Sequence, residues 1–169
     1  MYRDKEDKTT IEKNNLTIEP EEVFVIIPTF NEGKVIIETI KPLLENKYTV
    51  VVIDDCSTDN TEQLLKNYPI IYLKHLINLG QGAALQTGID YSLAKSAKFV
   101  VTFDADGQHN FKEIPLLLQP LINGSSDIAI GTRFKRDEDI KQIPKARKII
   151  LKTAIIVNGL FTGMWLSDA

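Results

Sequence analysis

The 169 residues allow one domain with a substantial core and hardly two. A composition of 43% hydrophobic and 25% charged residues is that of a soluble globular protein, and a net charge of −3 argues against a general nucleic-acid binder, which carries a basic excess. Cys56 is the only cysteine, which excludes an intrachain disulfide and suits a reducing cytosol.

Residues 1–20, MYRDKEDKTTIEKNNLTIEP, show no periodicity and are expected to form a polar, disordered leader. They hold no apolar segment of the kind a signal peptide needs. The sequons Asn15-Leu16-Thr17 and Asn123-Gly124-Ser125 are therefore expected to carry no glycan. The domain proper is expected over 21–169. Its β-rich runs are VFVIIP (23–28), VVVID (50–54), IIYLKH (70–75), FVVTFD (99–104) and DIAIGT (127–132). Helical patterns lie between them, at roughly 32–46, 59–67, 81–95 and 111–123. Apolar strands alternating with helices predict an α/β fold with a mainly parallel, doubly wound sheet and helices on both faces. The chain contains no internal repeat.

Ligands of such sheets sit outside the carboxyl ends of the strands. Those ends carry Pro28-Thr29-Phe30-Asn31-Glu32, Asp54-Asp55, Asn78-Leu79-Gly80-Gln81-Gly82, Asp104-Ala105-Asp106 and Gly131-Thr132-Arg133. On an extended chain Asp104 and Asp106 share a face, where two like charges repel unless a cation lies between them. Magnesium or manganese takes one or two carboxylates and fills its shell with water and substrate phosphates. Gly107 permits a sharp turn, and Gln108 offers a neutral oxygen. The plainer reading makes these aspartates a solvated cap for the next helix. At the second strand end, Ser57 and Asp59 read as helix caps, whereas Asp55 has no such duty and offers an acceptor to a nucleobase imide or amine. In NLGQGAALQTG (78–88) a helix opens through two glycines whose backbone N–H groups can approach a polar ligand; it is not a dinucleotide fingerprint. Arg133 can present a fork to phosphate, and Arg147 and Lys148 either do the same or solvate a helix. His75 and His109 show no metal-ligand spacing and read as incidental.

Residues 140–152 hold five basic residues and no acid, and Thr153–Ser167 is uncharged. That apolar run is short for a transmembrane helix and contains two glycines, so it reads as interfacial or as a terminal helix packed on the sheet.

With IIPTFNE, VVVIDDCSTDNT, INLGQGAALQTG, FDADGQH and GTRF present in order, the chain resembles the family 2 glycosyltransferases of GT-A fold across about residues 22–169. It is most similar to the dolichyl-phosphate mannose synthase-like branch, which glycosylates polyprenyl phosphates. The resemblance implies that Pro28, Thr29, Glu32 and Asp55 hold the nucleotide of a UDP- or GDP-sugar, with Gln81 nearby. It implies that Asp104, Asp106 and Gln108 hold Mg2+ or Mn2+ on the diphosphate, Asp104 serving nucleotide sugar and metal alike. Asp106, Arg133 and Arg147 are the implied catalytic residues, the arginines on phosphates of donor or acceptor. Relatives of this kind usually have Gly or Ser at Cys56. The motif begun by Leu166-Ser167-Asp168-Ala169 normally continues through a Gly and an Arg, which implies a domain incomplete at its C-terminus. The implied activity is inverting sugar transfer to a polyprenyl phosphate, with the protein cytoplasmic and peripheral on a membrane, and without nucleic acid.

Other readings remain open at this point. A transferase of polysaccharide synthesis would glycosylate a hydroxyl instead. VVTFDADG also resembles the nucleophile motif of haloacid-dehalogenase-type phosphatases, but three β-α units precede it here. A receiver-type magnesium switch would need its acidic pair after the first strand, where VFVIIPTFNE stands. A nucleotidyltransferase would want a Gly-rich basic loop there, which PTFNEGK supplies poorly.

Overall fold

The structure, a computed structural model, describes residues 11–13, 16–106 and 109–131. The chain forms two compact units, Met1–Asp127 and Ile128–Ala169, and every element named below belongs to the first. Two short strands open it, β1 (Ile11–Lys13) and β2 (Leu16–Ile18), paired antiparallel with Ile11 opposite Ile18. Both strands fall within the stretch expected to form a polar leader. Ile18 is 3% exposed and packs in the main core, and an apolar side chain with that option does not stay in water.

The central sheet contains β3 (Val23–Thr29), β4 (Thr49–Asp54), β5 (Ile71–Lys74) and β6 (Phe99–Thr102), all parallel, in the order β5-β4-β3-β6. Side chains alternate across a strand, so β3 sends Val25 and Ile27 to one face and Ile26 to the other. The first face is covered by α1 (Ile36–Glu45) and α4 (Ile114–Ile122), which contribute Ile36, Ile40, Leu43, Ile114 and Leu118. The second is covered by α3 (Gln81–Ala94), through Ala84, Leu85 and Ile89 over Ile26, Val51 and Ile53. Burial on both faces explains why these strands read as continuous apolar runs rather than alternating ones. Gly88 lets α3 lie close: a Cβ there would run into Ile26 Cγ2 and come within 2.7 Å of Ile53 Cδ1.

The chain builds outward from β3 to β5 and then returns to the other side of β3 with β6, so the crossover direction reverses between β3 and β6. A crevice opens at such a switch point, outside the carboxyl ends of the strands. Backbone bonds continue the ladder past the strand ends, from Asp55 N to Thr29 O (2.9 Å), His75 N to Asp54 O (2.9 Å) and Phe103 N to Ile26 O (2.9 Å). The residues that follow each strand are thereby held at one edge.

Two further expectations differ from the structure. The run at 127–132 forms no strand over its described residues, 127–131, and pairs with no neighbour there; a strand exists only as a hydrogen-bonded ladder, however suitable its residues. Helix α1 starts at Ile36 rather than near residue 32, because Asn31 is left-handed (φ 59°) and the intervening loop is bonded elsewhere. Among the described residues, no helix is long and apolar enough to cross a membrane.

Candidate active site at the carboxyl edge of the sheet

Two loops are stitched together first. The Asn31 N–H donates to Ser57 Oγ (2.9 Å), while Asn31 Oδ1 accepts from the Thr58 N–H (2.8 Å) and, more distantly, from the Asp59 N–H (3.3 Å). Gly33 N–H donates to Asp59 Oδ2 at 3.0 Å, and Asp59 Oδ1 accepts from the Thr61 N–H that opens α2 (Thr61–Leu65). The Thr61 hydroxyl and these N–H groups outweigh partial desolvation and hold Asp59 below the usual carboxylate range. Ser57 is thus a tie between the loops rather than a helix cap, and Asp59 combines both duties.

The Asp54-Asp55 pair is buried. Asp54, 0% exposed, accepts from the Ser57 N–H (2.7 Å) and the Tyr72 hydroxyl (2.5 Å). Burial, and then the neighbouring carboxylate, push the Tyr72 phenol upward. Asp55 Oδ1 accepts from the Leu79 N–H (2.9 Å) and contacts His75 Nδ1 (2.7 Å), and Oδ2 accepts from the Gly80 N–H (2.7 Å). Burial pushes Asp55 upward, but the Leu79, His75 and Gly80 donors outweigh it and leave the group below its ordinary value. Asp55 therefore builds the turn before α3 as well as facing the site. Gly80 makes that turn at φ 89°, a conformation glycine adopts freely.

The Asp104-Asp106 pair is placed differently. Ala105 between them is 5% exposed, and its carbonyl accepts from the Thr39 hydroxyl of α1 at 3.1 Å. That anchor leaves the Asp104 side chain 46% exposed, beside Gln81 Nε2 (3.2 Å) and His109 Nε2 (3.3 Å). His109 Nδ1 accepts from the Asp104 N–H at 3.3 Å, and the ring stands edge-on to Phe103 with centroids 5.2 Å apart. Asp106 is exposed.

A cleft of about 430 Å³ lies between these loops, within the size range of small-molecule sites. Pro28, Thr29, Glu32, Asp55, Gln81, Asp104 and Asp106, all singled out in the sequence, line it, joined by Phe30, Asn78, Gly80, Ala84 and Ala105. Gln108, Arg133 and Arg147 lie outside the described residues, as do Lys148 and the basic and apolar runs beyond residue 140. Thr29 is 3% exposed, and among the described residues its buried hydroxyl has no hydrogen-bond partner. Such a group is costly unless something bonds it, and here it lines the cleft. Among the described residues no three His, Cys, Asp or Glu side chains gather around one point. A cation would have to rely on the Asp104-Asp106 pair and on oxygens brought by a ligand, as magnesium commonly does.

Sequence reasoning passed over His75 and Phe30. For His75 a signal existed: it directly follows β5, one strand away from Asp55, at the edge where ligands sit. Phe30 gave the same signal, since it directly follows β3 in the strand-end stretch already noted, and it is 46% exposed at the cleft.

Comparison with known proteins identifies the family and the fold. Over residues 24–166 the chain matches the model of the glycosyl transferase family 2. It is 31% identical over 165 residues to a UDP-N-acetylglucosamine–dolichyl-phosphate N-acetylglucosaminyltransferase of Methanococcus voltae, covering 87% of this chain and 66% of that one. It is 37% identical over 144 residues to a dolichol-phosphate mannosyltransferase of Pyrococcus furiosus, covering 80% and 40%. The chain thus spans two thirds or less of these curated relatives. A glucosyl-3-phosphoglycerate synthase from Mycobacterium tuberculosis, solved with Mn2+, UDP and glucosyl-3-phosphoglycerate, superposes with a TM-score of 0.51 at 24% identity, over 81% of this chain and 51% of that one, a likeness of fold. The sheet is that of the GT-A fold, and the chain belongs to glycosyl transferase family 2.

Proposed function

We propose that this domain binds a nucleotide diphosphate sugar through a divalent cation and passes the sugar, with inversion, to a polyprenyl phosphate. The observation that carries the reading is the cleft at the β3/β6 switch point, where the exposed Asp104-Asp106 pair and the orphaned Thr29 hydroxyl line one cavity. Asp104 and Asp106 would hold Mg2+ or Mn2+, with Gln108 as a neutral oxygen. Bound there, the ion would supply Lewis-acid stabilisation of the leaving diphosphate. Pro28, Thr29, Glu32 and Asp55 take the nucleoside, and the Gln81 amide helps orient Asp104.

A polyprenyl phosphate is already anionic at neutral pH, so attack on the sugar carbon needs positive charge to steer it rather than a base of pKa near 7. Arg133 and Arg147 are assigned that duty. The two dolichyl-phosphate-handling relatives support this acceptor over a sugar hydroxyl. Membrane-surface attachment on the cytoplasmic side follows from the acceptor and from the basic run 141–152, each such residue near an anionic surface contributing about 1 kcal/mol.

The direct test is calorimetry of UDP and GDP with this chain in manganese, in magnesium and in EDTA. Metal-dependent binding of a nucleoside diphosphate is expected; equal binding in EDTA would overturn the metal assignment. Co-sedimentation with anionic and neutral vesicles tests the surface, and equal binding to both would remove its electrostatic part.

A further inference from the structure

His75 sits behind the cleft rather than in its lining. A carboxylate only accepts, so Nδ1 must donate to Asp55 Oδ1 across 2.7 Å, while Nε2 meets the Thr87 hydroxyl of α3 at 2.9 Å. Both partners of the ion-pair contact are withdrawn from solvent, with 11% of the His75 side chain and 5% of the Asp55 side chain exposed. The imidazole is a strut between the end of β4 and helix α3, and it fixes how the carboxylate is presented.

An ionised carboxylate has about four lone-pair positions. His75 and the Leu79 N–H fill both on Oδ1, and the Gly80 N–H fills one on Oδ2. One acceptor position is left for a ligand in the cleft. Guanine offers two adjacent donors, N1–H and N2–H, and would leave one of them facing an oxygen already in use. Uracil offers one imide N–H between two carbonyls, and the buried Thr29 hydroxyl in the same cleft is able to donate to a carbonyl. Cytosine presents a bare ring nitrogen at that position, which a carboxylate repels.

We propose, building on the nucleotide-sugar reading above, that His75 is a positioning residue that selects the base: by filling Oδ1 of Asp55 it leaves one acceptor and so favours uracil over guanine. Without the imidazole strut the carboxylate is no longer held against the end of β5 and can turn to offer a second acceptor position to the cleft, which both guanine donors then reach.

The experiment measures the affinities of UDP, GDP and CDP in manganese for the whole chain and for His75→Leu, His75→Asn and Thr87→Val. The unmodified chain should bind UDP at least about tenfold more tightly than GDP or CDP, the penalty for one unsatisfied buried donor. His75→Leu should shrink the UDP/GDP ratio to about threefold or less. His75→Asn, whose amide nitrogen stands in for Nδ1, should restore it, and Thr87→Val, which leaves Nδ1 in place, should keep it. Equal weakening of UDP and GDP in His75→Leu would mean a purely structural strut and overturn the proposal. So would a wild-type preference for GDP, or a lost ratio in His75→Asn, and these last two readings stand even if His75→Leu does not fold. Binding of UDP and GDP alike refutes base selection alone, whereas no nucleoside diphosphate binding at all refutes the nucleotide-sugar reading with it.

Discussion

Strand β3 has an acidic pair on either side of it, Asp54-Asp55 at the end of β4 and Asp104-Asp106 just beyond β6, and the two are in opposite physical states. Asp54 and Asp55 are 0% and 3% exposed, and their oxygens are met by backbone N–H groups, a phenol and an imidazole. Asp104 is half-exposed, and among the described residues its carboxylate is met by two side chains at longer range, Gln81 (3.2 Å) and His109 (3.3 Å). Buried carboxylates must be bonded before any ligand arrives, because an unpaired buried charge costs several kcal/mol. The same two-acid signature thus gives a buried, hydrogen-bonded pair on one side and a more exposed pair on the other.

The sharpest way to break this contrast is at the exposed pair. Asp106→Asn removes a ligand charge with little change of shape, and manganese-supported UDP binding should fall about 100-fold or more, since even residues that merely support metal ligands cost 10–100-fold. Removing metal with EDTA should have an equivalent effect. The folding midpoint should move little, because Asp106 is exposed and is not part of the core. A variant that binds UDP normally in manganese would return the pair to a solvated cap.

Asp55→Ala should give the opposite outcome. It strands the Leu79 and Gly80 N–H groups and the His75 ring, and a loss of about 2–4 kcal/mol is expected, with water recovering part of three orphaned donors. Urea unfolding at unchanged m measures it. Asp104→Ala in the same assay should cost less than about 1 kcal/mol. Equal costs would erase the distinction between the pairs.

The edge itself was legible in the sequence because β-branched runs end abruptly in polar residues, and a parallel sheet brings those ends together. The states of the two pairs were not legible. They depend on Tyr72, His75, Leu79 and Gly80 arriving from 18 to 25 residues away, through the register of β5 against β4 and the turn that follows. The tie between Asn31 and Ser57-Thr58 was hidden for the same reason, and with it the late start of α1. The hairpin near Ile18 was missed because two three-residue strands carry too little periodicity to register. The run at 127–132 erred in the other direction over its described residues, 127–131: good strand residues predict a strand, but pairing decides it.

Acid sharpens the contrast further. Asp55 lies below its ordinary value of 3.8 in the folded chain, so it stabilises the fold above that pH and its contribution is lost as the pH falls through the lowered value. Asp59 shifts the same way and adds to the loss. Stability measured from about pH 5 downward should therefore drop below about pH 4, and less steeply in Asp55→Asn, which has no carboxylate to protonate there. Identical slopes in the two proteins would remove Asp55 from the acid response.

The smallest expected effect tests whether strain in the turn after β4 helps aim Asp55. Cys56 sits at φ 68°, a left-handed conformation that costs an ordinary residue about 1–2 kcal/mol. Its thiol reaches the Leu76 carbonyl at 3.5 Å, a weak contact. Cys56→Gly should relieve the backbone cost, but glycine also frees the unfolded chain by about 0.5–1 kcal/mol and gives up the thiol contact. The changes oppose each other, so the unfolding free energy should move by no more than about 0.5 kcal/mol, with UDP affinity unchanged. Cys56→Val keeps the backbone cost and adds a β-branch that tolerates positive φ poorly, so it should lose about 1–2 kcal/mol. If the turn aims the carboxylate, Cys56→Val should also weaken UDP binding while leaving metal binding at Asp104-Asp106 intact. A Cys56→Val protein that loses stability but binds UDP normally would show that Leu79, Gly80 and His75 hold Asp55 without help from the turn.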